Sequence, residues 1–496
     1  MKKTLFISAL VLVAALSSCG DYLDINTDPN SPSEDNITSD MLMPAIEMNI
    51  ASSYGDFLRI TGGYFSEIYA HLNGTSNYLD YSQFQMSATR SSSTYTQFTQ
   101  RALSNLQTVL EKSEEDEEWG SYLAATVLRA FVYQAMVDCY GEIPYTEALT
   151  DNTQPAYDDG EVIYEGILAE LDAALEKVSS SDLVCTNFLY PDENASNWIK
   201  FANALKLRIL MRMVDVADVQ SRVAELIAED NFPDEDIAYT DCWADESGSY
   251  SPFYAEEFNT GVQTNVAANV TIIGTMQMLD SEGNIEYTDP RLPAYFEYAT
   301  GTEYIGSVSG TNYPGTSVLT NFSRPVSSYD MPVYYITVAE TEFFLAEYYA
   351  RYGSSTTAEE HYAAAIEASF ETAGVEGAED HIARYPFSST NYKQVLGEAK
   401  WVHLAGLNTY EAWCELRRLD YPAFGSVTGD DLYSAGDDAI NNELYEPFTL
   451  YTPISVFAQV GDNQVLERYP YPESSTARNA NSPEFPGYTV PVFWAE

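Results

Sequence analysis

The chain has 496 residues, 45% of them hydrophobic, and its 75 Asp and Glu against 23 Lys and Arg give a formal net charge of −52. A surface that acidic repels phosphate backbones and anionic headgroups, which excludes nucleic-acid binding and docking on a membrane through basic residues. The apolar content is ample for a large core, so the acidity describes a solvated exterior and not a disordered chain.

In chain order, Lys2 and Lys3 precede an apolar run from Leu5 to Leu16 and two small residues, the layout of an export signal over residues 1–18. The run is too short to span a bilayer as a helix. Leu16-Ser17-Ser18-Cys19 looks like a lipoprotein signal-peptidase site, in which the Cys19 thiol carries a diacylglyceryl group and becomes a multiply acylated N-terminus. Two or three acyl chains hold a protein durably where one holds it marginally, at about 0.8 kcal/mol per buried methylene. Residues 19–40 then read as a tether. Within it Asp24, Asn26 and Asp28 have the alternate spacing of a calcium loop, with Asp35 at the twelfth position. Pro29 stands where such a loop needs Gly, and no helices flank it, so no metal is assigned.

No charged or Gly/Ser linker divides residues 19–496, which read as a single domain. Residues 71–84, HLNGTSNYLDYSQF, form a polar, Tyr-bearing stretch. A candidate helix runs from Tyr95 to Leu110. With Ser113 as N-cap and an acidic first turn, a helix then runs to Tyr140 with Trp119, Leu123, Val127, Ala130 and Phe131 along one face, stopped by Gly141 and Pro144. Further helical periods cover 161–178, 196–217 and 394–419. Between them, residues 231–332 lose the period and accumulate Tyr, Ser, Gly, Asn and Thr, as does the run from Tyr421 onward. An interruption that long inside a compact chain is functional or disordered, and its aromatics argue for function. In residues 343–370, Leu345, Ala346 and Tyr349 followed by Ala358, Tyr362 and Ala365 reproduce the tetratricopeptide offsets, with Gly353 at the turn. The expected fold is mainly α, tetratricopeptide-like helix pairs with long irregular, Tyr-rich insertions.

Chemical motifs are scarce. Cys139, Cys185, Cys242 and Cys414 have no close spacing, and two of them fall in apolar helices, so no disulfide framework is expected. The four histidines lack metal spacing, and no G-x-S-x-G, P-loop, G-x-G-x-x-G or HExxH occurs. No cofactor is expected. Arg417 and Arg418 sit in the last turn before Pro422, where cations favour the helix dipole and pair with nearby carboxylates.

Residues 128–149, LRAFVYQAMVDCYGEIPYTEAL, resemble the arginine-led helix and Y-G-D-x-P turn of SusD/RagB-like nutrient-binding lipoproteins, with Glu142 where Asp is common. CGDYLDINTDPNSP at the mature N-terminus, WVHLAGLNTYEAWCELRRLDYP at 401–422 and ERYPYPESSTARNANSPEF at 467–485 resemble that family's start, penultimate helix and closing segment, in the same order. The resemblance implies a SusD-like α-α superhelix on a lipid-anchored protein of the outer membrane, facing the cell exterior. It also implies a SusC-like TonB-dependent transporter as partner, an oligosaccharide or peptide as ligand, and no catalytic activity.

A neutral glycan offers apolar C–H faces and hydroxyl edges, which aromatic platforms and Asn, Gln, Asp or backbone groups match without net charge. The chain carries 39 Tyr against 22 Phe and 6 Trp, so its aromatic surplus is the kind with a polar rim. Trp243, Tyr250, Tyr254, Tyr78 and Tyr81 are the expected ligand contacts. Peptides remain open as ligands, since Tyr-, Ser-, Gly- and Asn-rich loops recognise them as well. Two other functions stay open beside this one: an exported glycoside hydrolase working through two carboxylates, and a scaffold that binds only proteins.

Overall fold

A computed structural model describes residues 37–72, 77–191, 194–258, 265–280, 282–310, 322–434 and 445–495. The export signal, Cys19 and the loop from 24 to 35 lie outside them.

The first described helix, Ser39–Ser53 (α1), buries Met43, Ile46 and Ile50 at helical spacing. A π-helical turn, Tyr54–Leu58, carries it into Arg59–Phe65 (α2). A second composite helix runs from Ser92–Thr96 through a π segment, Gln97–Leu103, into Ser104–Glu115 (α3), and it contains the helix expected from Tyr95 to Leu110. Ser113 does not cap the next helix. It is buried in the last turn of α3, its carbonyl accepts from the Glu118 N–H at 2.8 Å, and Glu117 turns the chain with φ +57°. The apolar period of Leu106, Val109 and Leu110 draws the acidic run into the end of α3 instead of the start of its successor.

Trp119–Tyr140 (α4) ends where expected but starts about five residues later than a cap at Ser113 would place it, and it is buried on nearly every face, which fits the centre of the molecule. It ends where Gly141 takes φ +82°, and a Cβ there would stand 2.9 Å from the Arg468 guanidinium. Gly160–Lys177 (α5) packs on α4 through Ile163, Ile167 and Leu171. Ser196–Arg212 (α6) stops before residue 217, because the Val216 and Ala217 N–H groups turn back to the Met213 carbonyl. Gln220–Glu229 (α7) follows.

Val338–Tyr352 (α8) and Ser355–Thr372 (α9) form the tetratricopeptide-like pair. Thr337 and Glu340 close a capping box on α8, and the Ser354 hydroxyl accepts from the Thr356 and Thr357 N–H groups to start α9. Ala346, Ala358 and Ala365 are fully buried, small enough to bring the two helices together, while Tyr362 fills the space beside them. After Ala378–Arg384 (α10), the single helix expected over 394–419 is two: Tyr392–Ala405 (α11) and Thr409–Leu419 (α12). The break is forced from both sides. The Tyr295 ring occupies the place a Cβ on Gly406 would take, and the Asn408 side chain caps α12 by accepting from the Glu411 N–H.

Short strands pin the insertions to this helical body: Tyr69–His71 (β1), Ile237–Tyr239 (β2), Val266–Ala268 (β3), Gln277–Leu279 (β4), Ile285–Thr288 (β5), Val333–Ile336 (β6), Ala423–Phe424 (β7) and Thr449–Leu450 (β8). They pair β1 with β3, β2 with β6 and β4 with β5, all antiparallel, and β7 with β8 in parallel. The 231–332 segment also carries short helices at Pro252–Glu257, Val270–Met276 and Leu292–Tyr295, so it is less irregular than its composition suggests. The four cysteines of the described residues are free. Cys139 and Cys414 lie in the core, where burial pushes the first thiol well above its usual range and the second up to about 12. Burial likewise pushes the partly covered Cys185 and Cys242 up to about 12.

Arg417 and Arg418 lie in the last turn of α12, as expected, and that turn is buried. The Arg417 guanidinium stacks on Trp413 at 3.5 Å and donates to the Asp138 carbonyl at 2.9 Å. Arg418 binds Glu347 on α8 at 2.6 Å and Glu415 at 2.7 Å, with all three side chains at most 2% exposed. Lys400 meets Glu415 at 2.6 Å, Arg208 bridges Glu340 (3.0 Å) and Glu411 (3.1 Å), and Arg212 joins Glu411 to Asp138. Burial opposes ionisation of Glu415, yet Arg418 and Lys400 hold its carboxyl well below the usual range. Removing one partner from such a buried pair leaves an uncompensated charge. Arg418→Met should therefore lower the unfolding free energy by about 3–5 kcal/mol in a urea titration; a change under about 1 kcal/mol, the scale of a solvated pair, would contradict the burial.

Candidate functional site

The two Tyr-rich stretches that are far apart in sequence meet in space. Pairing of β1 with β3, Tyr69 opposite Ala268 and His71 opposite Val266, lays the 71–84 stretch beside the insertion. Tyr69 then stacks on Phe253 of the Pro252–Glu257 helix at 6.1 Å and 18°, and Arg59 covers Phe253 at 4.7 Å while donating to the Gly406 and Leu407 carbonyls. This anchors the helix that presents Tyr254.

On the first side of the site, Tyr78 takes φ +60° and opens a short helix, Leu79–Ser82. That bend lays the Tyr78 ring parallel to Tyr81, 5.4 Å apart at 13°. Tyr64 meets both rings at about 6 Å. Arg90 sits 5.2 Å over Tyr81 and is paired to Asp80 at 3.0 Å. On the second side, Tyr254 lies parallel to Phe258 at 6.3 Å and 4°, and meets Tyr250 edge-on at 5.4 Å.

Carboxylates join the two sides. Glu257 accepts from the Asn265 N–H at 2.9 Å and lies close enough to Tyr78 for its charge, after burial, to push that hydroxyl's pKa up. Asp56, in the π turn between α1 and α2, lies close enough to Glu256 and Glu257 to feel both charges. Burial first, and those two charges second, push its pKa up to about 8. Asp56 is therefore mostly protonated at neutral pH and offers a hydroxyl donor, while its neighbours remain acceptors.

Of the expected contacts, Tyr78, Tyr250 and Tyr254 are partly exposed on this ridge. Tyr81 belongs to the same group but is 2% exposed, a floor beneath Tyr78 and not a free face. Trp243 stands apart: it packs against the main core, its indole N–H donates to the Tyr239 carbonyl at 3.4 Å, and among the described residues it makes no ring contact. Sequence reasoning missed Phe258, although it completes an i, i+4, i+8 series with Tyr250 and Tyr254. It also missed Asp56, whose role arises only from the fold. Among the described residues, no group of three His, Cys, Asp or Glu is placed to hold a metal ion, and no helix is long and apolar enough to cross a membrane.

The sequence matches, over residues 29–440, the model of the SusD-like family described as starch-binding and associating with the outer membrane. No curated protein matches the chain. Among solved structures, a SusD homologue from Bacteroides uniformis is similar with a TM-score of 0.69 at 21% identity, over 91% of this chain and 98% of that one. A chitin-binding SusD homologue from Flavobacterium johnsoniae is similar with a TM-score of 0.69 at 19% identity, over 91% and 98%. A SusD homologue from Bacteroides vulgatus gives 0.68 at 16% identity, over 91% and 97%. These likenesses at low identity establish the shared fold, and the family match over most of the length establishes more: the chain belongs to the SusD-like family.

Proposed function

We propose that this chain is a surface lipoprotein, anchored through acylated Cys19, that binds a neutral oligosaccharide on the Tyr78–Tyr254 ridge and passes it to a SusC-like TonB-dependent barrel for import. The observation that carries the reading is the convergence of two distant Tyr-rich stretches on one aromatic surface. Stacked tyrosines give a sugar flat apolar faces, while the Asp56 hydroxyl, the Glu256 and Glu257 carboxylates and Arg90 supply donors and acceptors along its edge. A surface this acidic disfavours anionic ligands, which leaves neutral glycans as the fitting class. The chitin-binding relative from Flavobacterium johnsoniae supports a glycan ligand.

One observation favours a second reading, hydrolysis: Asp56, its carboxyl pushed up to about 8, stands near Glu256 and Glu257, and a glycosidase works through such a pair of carboxyl groups. The family reading makes the protein a receptor with no chemistry of its own. Incubation with maltooligosaccharides and chitooligosaccharides should leave the reducing-end count unchanged, and steady release of new ends would establish the enzyme.

Calorimetry with the same oligosaccharides should show that Tyr78→Ala and Tyr254→Ala each weaken binding about three- to tenfold, the range of one aromatic contact. Tyr81→Phe should leave affinity unaltered. If both alanine variants bind as tightly as the parent, or only peptides bind, the ridge is not a glycan site. Cys19→Ala should move the protein from the membrane fraction into the soluble one.

Because the folded-state pKa of Asp56 lies above the usual value of 3.8, the folded protein binds more protons than the unfolded chain between about pH 4 and 8. This group therefore lowers stability as pH rises through that window. Asp56→Asn should flatten the decline in melting temperature between pH 5 and 8, and an identical decline in parent and variant would refute the shifted carboxyl.

A further inference from the structure

A cavity lies between the β4–β5 hairpin and helices α9, α10 and α11, and shares no lining residue with the ridge. Its volume is about 220 Å³. That is below the roughly 300–1,000 Å³ of sites for drug-sized ligands, so it has room for one ring and not for a chain of them. Tyr287, Tyr362, Tyr385 and Phe448 contribute its aromatic lining, with Tyr385 edge-on to Phe448 at 5.6 Å.

The back of the cavity is built and rigid. Arg291 and Asp289, 1% and 4% exposed at the side chain, pair at 2.7 Å, and Arg291 also donates to the Ser369 hydroxyl at 2.8 Å. Its guanidinium reaches His381 Nε2 at 3.4 Å. A guanidinium can only donate, so Nε2 accepts and the imidazole proton is on Nδ1. The Asp289 carboxylate 3.7 Å from Nδ1 favours the same tautomer. Burial and the Arg291 charge depress the His381 pKa to about 4, so the ring stays neutral. Nδ1–H then donates to the Tyr287 oxygen at 2.8 Å. The Tyr287 hydroxyl, already an acceptor, is left with its own proton to give.

An acceptor stands on α11. Glu398 lines the cavity, and one of its oxygens accepts from Gln394 at 2.9 Å, which uses one of about four acceptor positions on a carboxylate. The other charges cancel in pairs. Arg384, which covers Tyr287 at 4.4 Å, is bound to Glu286 at 3.1 Å, and Arg291 is bound to Asp289. No surplus positive charge remains to attract a carboxylate or a phosphate. Aromatic lining, one oriented hydroxyl donor and one carboxylate acceptor instead match a ring that carries hydroxyl groups and no charge.

We propose that this cavity is a second carbohydrate site that holds a single neutral pyranose, with its ring against the tyrosine and Phe448 lining and its hydroxyls on Tyr287 and Glu398. The site is independent of the ridge and would stand if the ridge failed. Ligand-observed NMR on the mature chain, with the methyl glycosides of glucose, galactose, mannose and N-acetylglucosamine as probes, tests it. At least one probe should receive saturation from the protein. Tyr287→Phe should weaken its binding about fivefold, the worth of one neutral hydrogen bond. Ala399→Trp, which fills the cavity, should abolish it, and Tyr254→Ala on the ridge should leave it unchanged. Saturation of no probe, saturation that survives both Tyr287→Phe and Ala399→Trp, or displacement of the sugar by a free amino acid would overturn the proposal.

Discussion

The architecture depends on a set of charges that water does not reach. Arg208, Arg212, Arg417, Arg418 and Lys400 are buried, and Asp138, Glu340, Glu347, Glu411 and Glu415 are buried with them. Desolvating so many ions is costly, and replacing such groups by well-fitted apolar ones is often neutral or stabilising in other proteins. What the network fixes is register. Arg418 can satisfy Glu347 and Glu415 together only if α8 and α12 meet at one height, and Arg212 ties α6, α4 and α12 at another. Helices with apolar stripes alone could slide by a turn; these cannot without stranding a charge.

The network also shapes the exterior. A chain with 23 basic residues that buries eight of them, five in this network, leaves fewer to intersperse among the carboxylates outside. The acidity read from composition is thus concentrated on the surface. At the cavity beside α11 the positive charges are nevertheless matched one by one, Arg384 by Glu286 and Arg291 by Asp289. On the ridge burial leaves Asp56 with its proton.

The helical body was legible because its signals are local. The end of α4 follows from an unbroken apolar run closed by Gly141 and Pro144, and the α8–α9 pair follows from small residues at fixed offsets. The errors have one physical source, competition from distant parts of the chain. Ser113 has the chemistry of a cap, but the packing of Leu106, Val109 and Leu110 keeps it inside α3. The period across 394–419 is continuous, yet the Tyr295 ring from the insertion splits it at Gly406. Arg417 and Arg418 end their helix and Arg418 pairs with carboxylates as its position implies, but that α8 and the 467–469 segment close over them is not written locally. For the ridge, composition located both tyrosine stretches, but their meeting is made by β1 and β3, strands of three residues without a periodic signature. Whether a tyrosine serves as face or floor is likewise decided in three dimensions, which is why Tyr78 and Tyr81, so near in sequence, differ in exposure.

The shielded thiols bear on how such a protein matures. Every described cysteine is held protonated far above neutral pH, and the two most deeply placed have no route to an oxidant. Among the described residues no disulfide contributes to the tertiary structure, which rests on packing, hydrogen bonds and ion pairing, so its assembly calls for no oxidase. A framework built this way takes the same shape in an anaerobic habitat or an aerated one, since no cross-link among those residues responds to the redox potential of the surroundings.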